Sequence, residues 1–217
     1  MQTVLAVVLA AAAAYLLGSI SFAVIVSRCL YHQDVRQFGS GNAGMTNILR
    51  TYGKKAAALT LAGDFLKGIV AVLAGRLIFA AFGVGLFDGA YVAGLFALLG
   101  HLYPVYFGFR GGKGILTSIG IIAVINPIVF VGLLAIGLPL IFITRIVSVG
   151  SLAGAAAFPI LTLLVDYFTG GVSWLDFFFS VVLALLVIWM HRANIKRLLN
   201  GTENRFGGKN KKDGEKE

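Results

Sequence analysis

Seven apolar segments, at residues 4–26, 56–82, 86–107, 115–125, 127–144, 147–166 and 173–190, are separated by short polar connections. A bilayer core about 30 Å thick takes roughly 20 apolar residues of helix per crossing. Inside it, only helices or closed barrels satisfy the backbone polar groups. Mean hydropathy of +0.91 and 59% hydrophobic residues exclude an ordinary soluble domain. The chain is therefore predicted to be an all-α polytopic membrane protein. About seven transmembrane helices, some short, form a single domain over residues 1–200. Residues 201–217 make a basic tail whose Gly, Lys and Glu content predicts disorder. The first segment has no basic leader and runs on through Ile25, so it reads as a retained span.

Charge gives the orientation. The net charge is +9, yet eight of the 18 basic residues lie from Arg192 onward, beside a span. Such a cluster fixes topology or touches anionic lipid heads, and no nucleic-acid partner is expected. Arg28, Arg36, Arg50, Lys54 and Lys55 follow the first span, Arg110 and Lys113 follow the third, and Arg145 follows the fifth. These loops and the C-terminal cluster are assigned to the cytoplasm. The other connections hold Arg76, Asp88, Asp166 and Asp176 and are assigned outside. The N-terminus is then outside and the C-terminus cytoplasmic, with an outer turn at Asn126-Pro127. From Gly114 to Ile125 is 12 residues, about 18 Å of helix at 1.5 Å per residue. That is too short for a crossing, so the Gly111–Gly114 loop is expected below the membrane surface, lining a polar cavity. A five-helix arrangement, with 115–144 as one tilted span, is the alternative.

Polar chemistry is concentrated in a few places. Gly39-Ser40-Gly41-Asn42-Ala43-Gly44 offers backbone N–H groups that can converge on an anion. Thr46 to Tyr52 reads as a helix whose amino end adds positive potential, with Asn47 and Arg50 on one face. A flexible hinge is the alternative. His101-Leu102-Tyr103-Pro104 leads into Phe109-Arg110-Gly111-Gly112-Lys113-Gly114, a cation flanked by glycines with free N–H groups. The P-loop spacing is absent, and a topogenic basic turn is the competing reading. At the end of the last span, His191 and Asn194 share a face, as do Asn194 and Arg197, and Glu203 and Asn204 follow. Asp64 and Lys67 lie inside a span, three residues apart. They are either a structural pair or a cation facing the cavity. Arg145 to Ser151 repeats arginine, hydroxyl and glycine.

The absences narrow the class. Cys29 is the lone cysteine, and His32, His101 and His191 are far apart, so no zinc motif exists. No GxSxG elbow occurs. Cytoplasmic acids are scarce, which argues against metal-dependent hydrolysis. No metal and no cofactor are expected.

Taken together, the spaced motifs resemble the bacterial membrane acyl-phosphate:glycerol-3-phosphate acyltransferase family (PlsY). They are Gly18-Ser19-Ile20-Ser21-Phe22-Ala23, GSGNAGMTNILR at 39–50, HLYPVYFGFRGGKG at 101–114 and HRANIKRLLNGTEN at 191–204. Ser21 departs from the family's usual proline, which is expected to alter a helix bend rather than the reaction. The resemblance implies transfer of a fatty acyl group from acyl phosphate to the 1-hydroxyl of sn-glycerol 3-phosphate, in the bacterial cytoplasmic membrane with the site facing the cytoplasm. Arg50, Lys113, His191, Asn194 and Ser40 are then assigned to glycerol phosphate. N–H groups around Gly39, Gly41 and Gly44, with Asn42, Thr46 and Asn47, are assigned to the acyl phosphate. Gly111, Gly112, Gly114, Lys67, His101, Ser148 and Glu203 complete the expected substrate-binding set. The bilayer and the two substrates are the expected partners, and the oligomeric state is left open, a monomer being compatible with the sequence. An organic-phosphate transporter or channel is the alternative from another class, and an acyl-phosphate phosphatase a third.

Overall fold

Every apolar segment is helical in the computed structural model, which describes residues 1–205. The chain forms two compact units, Met1–Phe130 and Val131–Glu217. The first holds α1 (Gln2–Gly18), α2 (Phe22–Tyr31), α3 (Met45–Tyr52), α4 (Lys54–Ala81), α5 (Gly89–Leu102) and α6 (Ile115–Ile125). Helix α7 (Pro127–Thr144) crosses the boundary, and α8 (Val147–Thr169), α9 (Trp174–Met190) and α10 (Arg192–Leu199) belong to the second unit. The part of the expected tail at residues 206–217 lies outside the described residues.

Five helical stretches among the described residues are long and apolar enough to cross a bilayer, or six if α9 and α10, bent by 60°, count as one. The remaining apolar helix, α6, has 11 residues and is only about 17 Å long. The first segment forms one candidate span, Gln2–Tyr31, with a break inside it. Helix α1 ends at Gly18 and α2 begins at Phe22, with Ser21 extended at φ −88°. At the other predicted break, Asn126 leaves the helix and its Oδ1 accepts the N–H of Val129 at 3.1 Å. Asn126 thus caps α7, and Pro127 begins it at a position where its missing N–H costs nothing. Residues 115–144 are therefore not one continuous helix.

Close helix approach organises the first unit. Apolar association gains little from water in a bilayer, so packing depends on small residues. Ala6, Ala10, Ala14 and Gly18 form the buried stripe of α1. A Cβ on Gly18 would stand 2.1 Å from Ala97 O, and one on Gly100 would stand 2.3 Å from Tyr15 O. Backbone contact between α4 and α6 is equally tight, through Gly68 against Thr117 O and Gly120 against Phe65 O. At one end of this unit, Val24, Val35, Ala43, Ile48 and Ala57 form a small apolar core. It fixes α3 and the polar loop before it.

Candidate active site

Asn47 organises the glycine-rich loop. It is the third residue of α3, and its side chain is buried. Its Oδ1 accepts the N–H of Ser40 at 3.0 Å. Its Nδ2 donates to the carbonyls of Val35 (3.1 Å), Phe38 (3.0 Å) and Asn42 (3.1 Å). Gly39 turns beneath it at φ +59°, where a Cβ would stand 2.3 Å from Asn47 Oδ1. No side chain fits that space, and L-residues disfavour that φ. The Asn47 amide, expected from the sequence to hold phosphate, is thus engaged as a post within the loop.

The loop's own N–H groups are also partly committed. Ser40 donates to Asn47, Gly41 to Phe38 O and Gly44 to Asn42 O. The anion nest expected from Gly39 to Gly44 therefore loses these three donors. Met45 and Thr46, in the first turn of α3, donate their N–H groups to no acceptor among the described residues. Thr46 and Asn42 are half-buried, Ser40 is exposed, and Arg50 is exposed in the last turn of α3.

A second loop packs on the first. Gly111 N–H donates to Leu102 O and Gly112 N–H to His101 O, each at 3.2 Å. These bonds satisfy the last carbonyls of α5. They correct the expectation of free glycine N–H groups beside Lys113. A Cβ on Gly112 would stand 2.3 Å from His101 Nε2 and 2.6 Å from Ala43 O. The two glycine motifs, distant in sequence, thus meet at this residue. Lys113 is half-buried between Gly112 and Gly114, and Gly114 takes φ +83° just before α6.

A guanidinium ties the same two loops together. Arg36 Nε and Nη2 donate to the two oxygens of Asp34 at 3.0 and 2.8 Å, and Nη1 donates to Phe107 O (2.6 Å) and Arg110 O (3.2 Å). Arg28 adds a bond of 2.9 Å to Asp34 Oδ2. Hydrogen bonding from Arg36 holds the Asp34 carboxyl well below the usual carboxylate range, and the same contact raises Arg36. Sequence reasoning counted Arg36 only as a topogenic charge, because nothing local indicates its partners some 70 residues away.

Lys67 and His101 belong to a buried cluster in the membrane-spanning part. Lys67 Nζ lies 2.9 Å from Asp64 Oδ1 and donates to Ile20 O, at the α1–α2 break, at 2.7 Å. The pairing at i,i+3 is the structural alternative raised by the sequence. His101 Nδ1 lies 3.6 Å from Asp64 Oδ1 and 3.2 Å from Thr117 Oγ1.

The second unit carries the other expected residues. His191 stands at the bend between α9 and α10, buried. Its Nδ1 lies 2.8 Å from Val187 O. A carbonyl only accepts, so this nitrogen bears hydrogen. Glu203 accepts from Asn194 Nδ2 at 2.9 Å and from Arg197 Nε at 2.8 Å. Both its oxygens accept from α10 side chains. Ser148, second in α8, is buried, and its Oγ has no hydrogen-bond partner among the described residues.

The family model for glycerol-3-phosphate acyltransferase matches residues 8–201. The chain belongs to that family. A glycerol-3-phosphate acyltransferase of Thermoanaerobacter sp. (strain X514) is 43% identical over 205 residues, covering 93% of this chain and 96% of the relative. One of Neisseria meningitidis serogroup B (strain ATCC BAA-335 / MC58) is 44% identical over 200 residues, covering 92% and 96%. Among solved structures, the crystal structure of PlsY (YgiH), an integral membrane glycerol 3-phosphate acyltransferase, in its glycerol 3-phosphate form has a TM-score of 0.80 at 36% identity. It covers 93% of this chain and 96% of its own. The lysophosphatidic acid form gives a TM-score of 0.77 at 35% identity, covering 93% and 95%. This chain is therefore a multi-pass membrane acyltransferase, and the transporter reading falls away.

Proposed function

We propose that this acyltransferase moves a fatty acyl group from acyl phosphate to the 1-hydroxyl of sn-glycerol 3-phosphate, at the cytoplasmic face of a bacterial inner membrane. The observation that carries the reading is the meeting of the two glycine motifs at Gly112, which brings the loop of Ser40 and the loop of Lys113 together. Relatives solved in glycerol 3-phosphate and lysophosphatidic acid forms support it.

An acyl phosphate has an activated leaving group, so no acyl-enzyme is required. The 1-hydroxyl oxygen attacks the acyl carbonyl carbon. The ester C–O bond forms as the carbonyl–phosphate C–O bond breaks, and inorganic phosphate departs. The protein aligns the reactants and stabilises the oxyanion and the leaving phosphate. Arg50, Lys113, His191, Asn194 and Ser40 hold glycerol phosphate. Asn42, Thr46 and the first-turn N–H groups of α3 hold the acyl phosphate, with Ser148 Oγ as a further donor. Asn47, Gly111, Gly112 and Glu203 position these groups. A substrate phosphate oxygen accepts the hydroxyl proton. Cationic side chains and backbone dipoles offset the anionic charge of the two substrates.

The test supplies the purified protein with palmitoyl phosphate in EDTA, with and without sn-glycerol 3-phosphate. Equimolar phosphate and lysophosphatidate, only when glycerol phosphate is present, is the expected result. Phosphate without lysophosphatidate overturns it in favour of a phosphatase. For the proton, His191→Gln should keep near-normal turnover. A loss of about 10²–10⁴-fold, the size of general base catalysis, with binding intact would assign the base to His191.

A further inference from the structure

The buried cluster of Asp64, Lys67, His101 and Thr117 lies away from the roles above, yet one of its members touches the site loops. The Thr117 hydroxyl donates its single hydrogen to Asp64 O at 3.2 Å. Its oxygen, 3.2 Å from His101 Nδ1, can then only accept. Asp64 Oδ1, 3.6 Å from the same nitrogen, is an acceptor too. The Thr117 oxygen therefore requires hydrogen on Nδ1, which fixes the orientation of the ring, and the nearby Asp64 charge favours that hydrogen. Lys67 balances the Asp64 charge from 2.9 Å and is itself held by Ile20 O. The opposite ring edge, Nε2, faces Gly112 at a separation that admits no Cβ. The imidazole and Ala43 O together close the space into which a side chain of residue 112 would project.

We infer that His101 is a positioning residue rather than a substrate ligand. Thr117 anchors its Nδ1 edge within the membrane-spanning part, beside the Asp64 charge. Its Nε2 edge sets the distance between the Ala43 segment and the Gly112–Lys113 segment. The cluster thus holds Lys113 at its working height. The inference rests on the reading of Lys113 as a glycerol phosphate ligand.

Thr117→Val tests it, because valine keeps the shape, removes the acceptor for Nδ1 and touches neither loop. Losing one buried hydrogen bond corresponds to about a five- to tenfold effect. The expected effect is a rise of that size in KM for glycerol 3-phosphate, with the melting temperature in detergent little changed. Thr117→Ser, which retains the hydroxyl, should restore the wild-type KM. The double variant with Gly112→Ala should show non-additive losses in kcat/KM, since both act through one contact. A wild-type KM in Thr117→Val, a loss confined to thermal stability, or additive losses with Gly112→Ala would each overturn the inference. Lys113→Met separates the premise. An unchanged KM for glycerol 3-phosphate in that variant refutes the Lys113 reading, while the Thr117–Gly112 coupling still reports on the contact itself.

Discussion

Replacing Asn47 distinguishes a loop post from a substrate ligand. Asn47→Ala removes four hydrogen bonds, to Ser40 N–H and to the carbonyls of Val35, Phe38 and Asn42. A neutral hydrogen bond contributes a net ~0.5–1.5 kcal/mol, and an orphaned buried group costs more. Here the orphaning is limited. Val35 O keeps a bond from Phe38 N–H, Phe38 O keeps one from Gly41 N–H, and Asn42 O keeps one from Gly44 N–H. Ser40 is exposed, so water can take its N–H. The low end of the range then applies to each bond, about 2 kcal/mol in all. Expressed fully as loop disorder, that is roughly a thirtyfold loss in kcat/KM. Asn47→Asp should be worse, because a carboxylate of the same shape cannot donate to three carbonyls. The assays are thermal unfolding in detergent and steady-state kinetics in both substrates. A post predicts a lower melting temperature and raised KM for both substrates. Unchanged thermal stability, with only one KM raised, would refute the reasoning and return Asn47 to the substrate.

Changes at four other positions probe the surroundings of the site. Arg36→Ala should lower kcat/KM about tenfold or more, as two charge-assisted bonds to Phe107 O and Arg110 O are lost; Arg36→Lys should recover only part of it, because an ammonium cannot span the fork, and steady-state kinetics reads both. The Asp34 carboxyl is lowered in the folded protein, so its contribution is fully present above its unfolded value of about 3.9 and declines only as pH falls below that. Melting temperature should therefore show no step from this pair between about pH 5 and 9, and Asp34→Asn should flatten the acid-side decline. Ser21→Pro should be neutral or slightly stabilising, since φ is −88° and Ser21 N–H has no acceptor among the described residues; a clear drop in melting temperature contradicts this. Glu203→Gln keeps one acceptor for α10 but removes the charge facing Arg197, and should raise KM for glycerol 3-phosphate several-fold, as measured by initial rates.

Local pattern carried much of this protein. The apolar periods, the Asn126-Pro127 break, the short α6, the α3 helix and the Asp64–Lys67 pairing were all legible, because each depends on spacing, capping or burial within a few residues. The family was legible as well, since its motifs are contiguous strings. What each motif residue does was decided by tertiary structure. Asn47, Gly111 and Gly112 have the donors of anion ligands, and Glu203 the acceptors to bind a substrate hydroxyl, yet these groups are committed to the protein itself. Those commitments depend on partners such as Val35, Leu102 and Arg197 that only the folded chain brings within reach. Arg36 and Thr117 gave no signal at all: one looked like a topogenic charge and the other like a helix-face hydroxyl. A sequence states which polar groups exist. Which of them remain for a substrate is fixed by non-local hydrogen bonding, because each buried group must find a partner before any can be offered outward.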